Sequence, residues 1–147
     1  MKKTLLLFFF FSCVCIADAQ KRKVPAVVID AFSVRYPHAT HVEWSDKLQY
    51  YQASFLLNGV SILANFSSEG EWENSERILN YNQLPDEVKN VLKKSKYADC
   101  QKNPFAEIQE LGKPLQYRVT VQKPGSQKKN LYFDANGKLL KEALALQ

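Results

Sequence analysis

Cysteine is scarce in this sequence, and its scarcity limits the covalent and catalytic options of the chain. Only three of the 147 residues are cysteine, and Cys13 and Cys15 lie in an apolar leader. Cys100 therefore has no intramolecular disulfide partner, so the fold must be stabilised by a packed core. Its neighbours Asp99 and Lys102 create no clear thiolate environment, and we predict a small buried hydrophobic side chain.

Signatures of common catalytic and cofactor sites are also missing. The chain holds no GxSxG, P-loop, GxGxxG, CxxC or CxxCH pattern and only two histidines. His38 and His41 could form a metal site with Glu43, but a helical HExxH pattern is absent and exposed strand residues of this kind are more often solvated. We therefore predict no cofactor or metal. A metal-dependent hydrolase that uses His38, His41 and Glu43 is an alternative.

Long apolar runs are absent except at the start of the chain. Residues 5–11 are all apolar, follow Lys2 and Lys3, and precede the small residues at 17–19 that a signal peptidase recognises. A membrane anchor would need roughly 20 apolar residues. The pattern predicts a signal peptide over residues 1–19.

Removal of this segment near Ala19-Gln20 would leave a single domain over residues 20–147 in the periplasm or secreted medium, without stable membrane insertion. A lipoprotein signal acylated at Cys13 or Cys15 is an alternative. It is weaker because bulky Phe10 and Phe11 precede Cys13, and Val14 precedes Cys15.

The charge differs between the two halves of the chain. The whole sequence has 20 Lys+Arg and 15 Asp+Glu, a net charge of +5. Residues 24–79 hold three basic and seven acidic residues, whereas residues 80–147 hold 12 basic and seven acidic ones. A nucleic-acid binder needs a coherent basic stripe with stacking aromatics, so we predict no nucleic-acid partner. The asymmetry instead suits head-to-tail contacts, an oppositely charged partner, or sequence drift between the two halves.

Two helical segments each open on proline. Apolar residues recur at i, i+3 or i+4, and i+7 in both: Val24, Val27, Val28, Ala31 and Phe32 in the first, and Leu84, Val88, Val91 and Leu92 in the second. Pro25 and Pro85 suit the first helical position, and Pro37 prevents the first helix from continuing past Tyr36.

Strand patterns also occur twice. The matching segments are Tyr51-x-Ala53-x-Phe55 with Tyr117-x-Val119-x-Val121, and Phe66-x-x-x-Gly70-x-Trp72 with Phe133-x-x-x-Gly137-x-Leu139. The order predicts an α+β fold of two tandem repeats, over 24–79 and 84–146. Each repeat is a helix followed by a four-stranded antiparallel meander, and together they form one sheet with the helices packed on one face.

One hairpin can be specified residue by residue. Asn58-Gly59 between apolar runs indicates a type I′ turn. Counting outward places four pairs on one apolar face: Leu57–Val60, Phe55–Ile62, Ala53–Ala64 and Tyr51–Phe66. The opposite face carries Ser54–Leu63, Gln52–Asn65 and Tyr50–Ser67, so the sheet has one buried and one mostly polar side. A turn at 134–137 and a polar loop at 123–127 are predicted in the second half.

Aromatic residues are the best candidates for a partner-binding surface. Tyr50 and Tyr132 fall on the polar side of their strands, and exposed tyrosine and tryptophan often anchor protein interfaces. Trp44 and Trp72 are also candidates, although large aromatics often fill the space between helix and sheet.

Several of these segments together resemble a known family. Val24-Pro25, Tyr36-Pro37-x-Ala39, Val42-Glu43-Trp44, Phe66-x-x-x-Gly70-x-Trp72 and Leu84-Pro85 resemble the PepSY-like domain of secreted bacterial proteins. The resemblance implies the β-lactamase-inhibitor-protein fold and a periplasmic or secreted, non-enzymatic module without catalytic residues. We therefore predict a protein or peptide partner on the exposed sheet face, with inhibition suggested by fold analogy alone. A small-ligand carrier with a pocket between sheet and helices is a further alternative.

Overall fold

Two helices and eight strands follow one another in the order that the sequence patterns predict. A computed structural model of the protein describes residues 23–145, so the predicted signal peptide, its cleavage site and the lipoprotein alternative lie outside the described residues. The elements are α1 (Ala26–Arg35), β1 (Thr40–Asp46), β2 (Tyr51–Leu57), β3 (Val60–Phe66), β4 (Trp72–Leu79), α2 (Asp86–Lys94), β5 (Gln101–Glu110), β6 (Gln116–Gln122), β7 (Lys129–Phe133) and β8 (Leu139–Leu144), with a 3₁₀ turn at Tyr81–Gln83 before α2.

The eight strands form one antiparallel sheet in sequence order from β1 to β8. The predicted α+β class and single sheet are confirmed, and β4 joins β5 through pairs such as Leu79 with Phe105. That the two halves are copies of one unit stays a prediction. No helix within residues 23–145 is long and apolar enough to cross a membrane.

Both helices begin at the residue after their prolines, so Pro25 and Pro85 occupy the N-cap, one position before the first helical position that the sequence predicts for them. Helix α1 ends at Arg35 before the Tyr36-Pro37 pair. In α2, Asp86 lies in the first turn and Lys94 in the last, where each charge opposes the partial charge of the helix end. The buried residues of the helices are Val28, Phe32, Val88 and Leu92.

The prediction of burial is wrong for two helix residues. Val27 is 48% exposed and Val91 is 38% exposed, although both fall on the apolar stripes. Each lies beside a glycine turn of the sheet, and it is the helix backbone that approaches this turn most closely. The side chains therefore lie at the flank of the contact instead of beneath the helix.

The predicted β2–β3 hairpin register is confirmed for every pair within the strands. Leu57 pairs with Val60 and Tyr51 pairs with Phe66, with the intervening pairs in step. Asn58 and Gly59 have φ angles of 51° and 77°, as a type I′ turn requires. The predicted turn at 134–137 and the loop at 123–127 also connect the strands expected.

The core lies on one face of the sheet, in two clusters that each surround one helix. The first comprises Val28, Phe32, Tyr51, Ala53, Phe55, Ile62, Ala64 and Phe66. The second includes Val88, Leu92, Tyr97, Cys100, Val119, Val121, Leu131 and Phe133. Ile62 of the first cluster pairs with Arg77 on β4, and Arg77 pairs with Glu107 on β5. Paired residues of neighbouring strands point to the same side of a sheet, so both helices cover one side. Cys100 is buried, which confirms the sequence prediction.

Two glycine turns support the helices. Gly70 lies between β3 and β4 with φ +86°, and Gly137 lies between β7 and β8 with φ +79°. A Cβ atom at Gly70 would lie 2.8 Å from the carbonyl oxygen of Val27, and one at Gly137 would lie 2.8 Å from that of Glu87. Both carbonyls belong to the second residue after the leading proline. The first turn of each helix therefore packs by its backbone against a turn that favours glycine.

The edge strand β8 is tied to the segment after α2 by side chains. Tyr97 donates a hydrogen bond from its hydroxyl to Oε2 of Glu142 at 2.7 Å, and Lys96 Nζ lies 3.4 Å from Oε1. The hydrogen bond from Tyr97 lowers the pKa of Glu142, with a further contribution from Lys96. Burial, followed by the hydrogen bond to Glu142, raises the pKa of Tyr97.

Replacing either supporting glycine with alanine is expected to destabilise the fold. Gly70→Ala and Gly137→Ala should each lower the free energy of unfolding by about 2–5 kcal/mol, because left-handed strain adds to a backbone clash. Gly59→Ala is the matched control, since its φ is +77° but nothing lies within 4 Å of its Cβ position. Its cost should be about 1–2 kcal/mol. Equal losses in urea unfolding for all three variants would contradict the helix contact.

Tyr97→Phe is expected to raise the pKa of Glu142 toward its ordinary value, measured by NMR titration of the carboxyl carbon. Because the folded-state pKa is lowered, this carboxylate stabilises the fold above its ordinary pKa of about 4.3 and loses that effect as pH falls through the folded value. The stability difference between wild type and Tyr97→Phe should therefore shrink below about pH 4. Tyr132→Phe, the control, should leave the Glu142 titration unchanged, and a difference independent of pH would refute the linkage.

Candidate functional site

The candidate site is the sheet face opposite the helices, called here the open face. No element within residues 23–145 packs over it as the helices do over the other side. Strand alternation assigns its central side chains: Gln52, Ser54, Leu56, Leu63, Asn65, Asn74, Glu76, Ile78, Ala106, Ile108, Arg118, Thr120, Asn130 and Tyr132.

Amides form a hydrogen-bonded ladder across three strands of the open face. Gln52 donates through Nε2 to Oδ1 of Asn65 at 3.0 Å, and Asn65 donates through Nδ2 to Oδ1 of Asn74 at 2.9 Å. In the second half, the Thr120 hydroxyl donates to Oδ1 of Asn130 at 2.8 Å. These bonds fix side-chain positions on both halves of the face and satisfy much of its polarity.

An ion pair spans the centre of the open face. Arg118 donates two hydrogen bonds to Glu76, one of them 2.8 Å long, and both side chains are 18% exposed. Ala106 pairs with Arg118 and Ile108 pairs with Glu76, so the ion pair crosses β5 above these two buried residues. The bidentate geometry holds the strands β4 and β6 in fixed relation. Arg118 Nε is buried and makes no hydrogen bond within the described residues.

A half-buried apolar patch adjoins this ion pair. Leu56 pairs with Ser61, which places Leu56 diagonally beside Leu63 on the same face. Ile78 lies two residues beyond Glu76, the partner of Leu63, and is therefore its diagonal neighbour on β4. Diagonal neighbours of this size are within contact distance in antiparallel sheets. We call Leu56, Leu63 and Ile78 the apolar patch.

The two candidate tyrosines lie in different environments. Tyr132 is half-buried on the open face, pairs with Arg118 on one side and Lys141 on the other, and has the Lys141 ammonium 5.6 Å from its ring centroid. Tyr50 is half-buried in the β1–β2 turn, where its carbonyl accepts a hydrogen bond from the Lys47 amide at 3.0 Å. Tyr132 is thus part of the central face, whereas Tyr50 lies at the end of the first hairpin.

The candidate tryptophans lie on the helix side of the sheet. Trp44 pairs with the core residue Ala53, and its ring lies 5.3 Å from the ring of Phe32. Trp72 also packs against the first core cluster, with the Arg35 guanidinium 3.7 Å from its ring centroid. The structure therefore does not bring these two residues to the open face, because their alternation matches that of the core.

The residues of the alternative metal site are not brought together. His38, His41 and Glu43 are exposed, and no group of three histidine, cysteine or acidic side chains suited to a metal occurs within the described part of the chain. A bulge between Thr40 and Glu43, with His41 at a φ of 54°, interrupts the regular alternation that the sequence pattern assumed.

Comparison with known proteins identifies the family. The profile of a family described as "Putative beta-lactamase-inhibitor-like, PepSY-like" matches residues 49–141, which is more than half of the chain. The chain belongs to this PepSY-like family. The matched range starts after β1, so the Tyr36–Trp44 part of the sequence resemblance lies outside it. No curated protein matches the chain.

Solved structures of similar fold come from Bacteroides species. A BLIP-like protein of Bacteroides fragilis is 28% identical, with a TM-score of 0.79 over 86% of this chain and 90% of that one. A DUF2874 family protein of Bacteroides ovatus is 25% identical, with a TM-score of 0.78 over 84% and 89%. A third, from Bacteroides eggerthii and described as a "putative periplasmic" protein, is 24% identical, with a TM-score of 0.77 over 84% and 90%. All three match nearly their whole length.

A double-mutant cycle measures the central ion pair of the open face. Arg118→Met should lower the free energy of unfolding by about 2–4 kcal/mol, because it leaves the mostly buried Glu76 without a partner. Combined with Glu76→Leu, the loss should be less than the sum of the single losses, with a coupling of about 1–3 kcal/mol. The exposed pair of Lys113 and Glu110 is the control and should couple by less than about 1 kcal/mol. Additive losses at Arg118 and Glu76 would contradict this description.

Proposed function

We propose that the protein is a non-enzymatic binding module of the periplasm or the secreted medium, and that it binds a protein or peptide on its open face. Family membership and the fold shared with a BLIP-like protein support a non-enzymatic module. The predicted signal peptide and the periplasmic description of the Bacteroides eggerthii protein support the location. The open face supports the binding role.

The composition of the open face is the main support for a binding role. Protein interfaces typically combine an apolar centre with a polar rim whose hydrogen bonds are satisfied. Here the apolar patch of Leu56, Leu63 and Ile78 adjoins both the amide ladder and the ion pair. A partner could bury the patch without breaking these bonds, because the polar groups already hold one another.

Tyr132 is the proposed anchor of this surface. It pairs with Arg118 across β6 and β7, and tyrosine and arginine are among the residue types enriched where binding energy is concentrated. Tyr50 is proposed as a peripheral contact at the end of the hairpin. Trp44 and Trp72 are left out of the surface, since they pack on the helix side.

Inhibition of an enzyme is the specific form of binding that the family description suggests. The B. fragilis protein is called BLIP-like, and the family is described as beta-lactamase-inhibitor-like. A fold shared with inhibitors assigns no target by itself. We therefore propose an inhibitory role without naming the target enzyme.

Site-specific photo-cross-linking tests the binding face. A photoreactive phenylalanine analogue at position 132 should give a discrete cross-linked adduct when the purified protein is incubated with envelope extract of its own organism. The same group at position 34, on helix α1, is the control because Val34 is 83% exposed on the opposite side. Adducts from position 34 alone would overturn the proposed face.

Alanine substitutions measure how much each of these residues contributes to binding of the cross-linked partner. Tyr132→Ala should reduce recovery of the adduct partner about tenfold or more, in line with the loss of a hot-spot tyrosine. Tyr50→Ala should reduce it less, and Val34→Ala should leave it unchanged. Unchanged recovery with both tyrosine variants would remove these residues from the binding surface.

A further inference from the structure

A second candidate site lies on the helix side of the sheet, beyond the end of α2. A cavity of about 400 Å³ opens there between the segment after α2, the β6–β7 loop and strand β8. Its volume is within the range of small-molecule sites. The cavity is on the opposite side of the sheet from the open face, so its role is independent of the proposed function.

The inner wall of this cavity is apolar. Tyr97, Cys100 and Val121 belong to the second core cluster and are at most 7% exposed, and Leu144 on β8 adds a further apolar side chain. Tyr97 is held in place by its hydrogen bond to Glu142. An apolar group placed against this wall would therefore meet a fixed surface without disturbing the core.

The rim of the cavity is positively charged. Lys96, Lys123 and Lys129 line it, and Glu142 is paired with Lys96. Lys123 and Lys129 form no ion pair with any described residue, and neither lies on the open face. The exposed rim thus offers two ammonium groups outside any close ion pair, beside an apolar wall, although Lys129 is near enough to Glu142 to help lower the pKa of that carboxyl.

We propose that this cavity binds a small amphiphilic anion, with its apolar part against Tyr97, Val121 and Leu144 and its anionic group between Lys123 and Lys129. A medium-chain carboxylate has this chemistry. An adjoining cavity of about 740 Å³ shares Ser126, Gln127 and Leu144 with the first and adds Lys128, which leaves room for a longer chain. The lysines repel cations. An inorganic anion has no apolar part that could pack against the wall, so it would use only the lysines.

Octanoate is the probe, and ¹⁵N NMR titration of the purified protein is the measurement. Saturable chemical-shift changes are expected at residues 96–100, 121–129 and 144. Octanol, which has the chain without the charge, and acetate, which has the charge without the chain, should each bind at least tenfold more weakly. Comparable binding of acetate or of octanol would overturn the amphiphile assignment, as would the absence of saturable octanoate shifts.

Charge-matched variants test the position of the anionic group. Lys123→Gln combined with Lys129→Gln should weaken octanoate binding about tenfold, because both positive charges proposed to hold the anionic group are lost. Lys93→Gln combined with Lys94→Gln removes the same net charge from exposed positions of α2 that do not line the cavity, and should change binding less than twofold. All variants should keep the wild-type unfolding midpoint. Equal weakening by both pairs would show a general charge effect and overturn the site.

Discussion

The contact between each helix and a glycine turn determines how the rest of the structure is arranged. Val27 in α1 and Glu87 in α2 each place a backbone carbonyl against a turn where a Cβ atom would clash. These turns lie between the last two strands of each half, so each contact joins the start of one half to its end. Because both contacts occur on one side of a continuous sheet, they determine which side chains become core and which stay in contact with solvent.

This one-sided arrangement gives the two faces of the sheet different chemistry. The helix side carries rings and aliphatic side chains at nearly every inward position of β2, β3, β6 and β7. The open face instead combines amides, an ion pair and half-buried aliphatic residues, and it satisfies most polar groups locally. A face of this kind tolerates water when free and can exclude water when a partner binds. The proposed partner surface is the face of the sheet that no helix within residues 23–145 covers. The proposed anion cavity lies on the other face, where the sheet extends past the end of the short helix α2.

Sequence patterns predicted the features that depend on local interactions. Asn58-Gly59 allowed the β2–β3 register to be predicted, since its turn type leaves one pairing, and proline positions gave the helix starts. Features that depend on packing between distant elements were missed. The Arg118–Glu76 pair could not be predicted because it joins β4 to β6 across β5, which requires the strand order and two registers together. The exposure of Val27 and Val91 depends on where the glycine turns meet the helices, and the apolar stripe contains no information about it.

In the isolated protein, helices pack on one face of the sheet, and the other face is free of any element from the described part of the chain. Methyl NMR in the presence of a soluble gadolinium chelate distinguishes the two faces, because the chelate broadens only methyl groups that it can approach. We expect strong broadening at Leu56, Leu63 and Ile78, and none at Val28, Val88 and Val119, which are fully buried. If the first three residues were as protected from broadening as the last three, at a concentration where the protein is monomeric, the open face would be covered and the one-sided packing of the sheet would be contradicted.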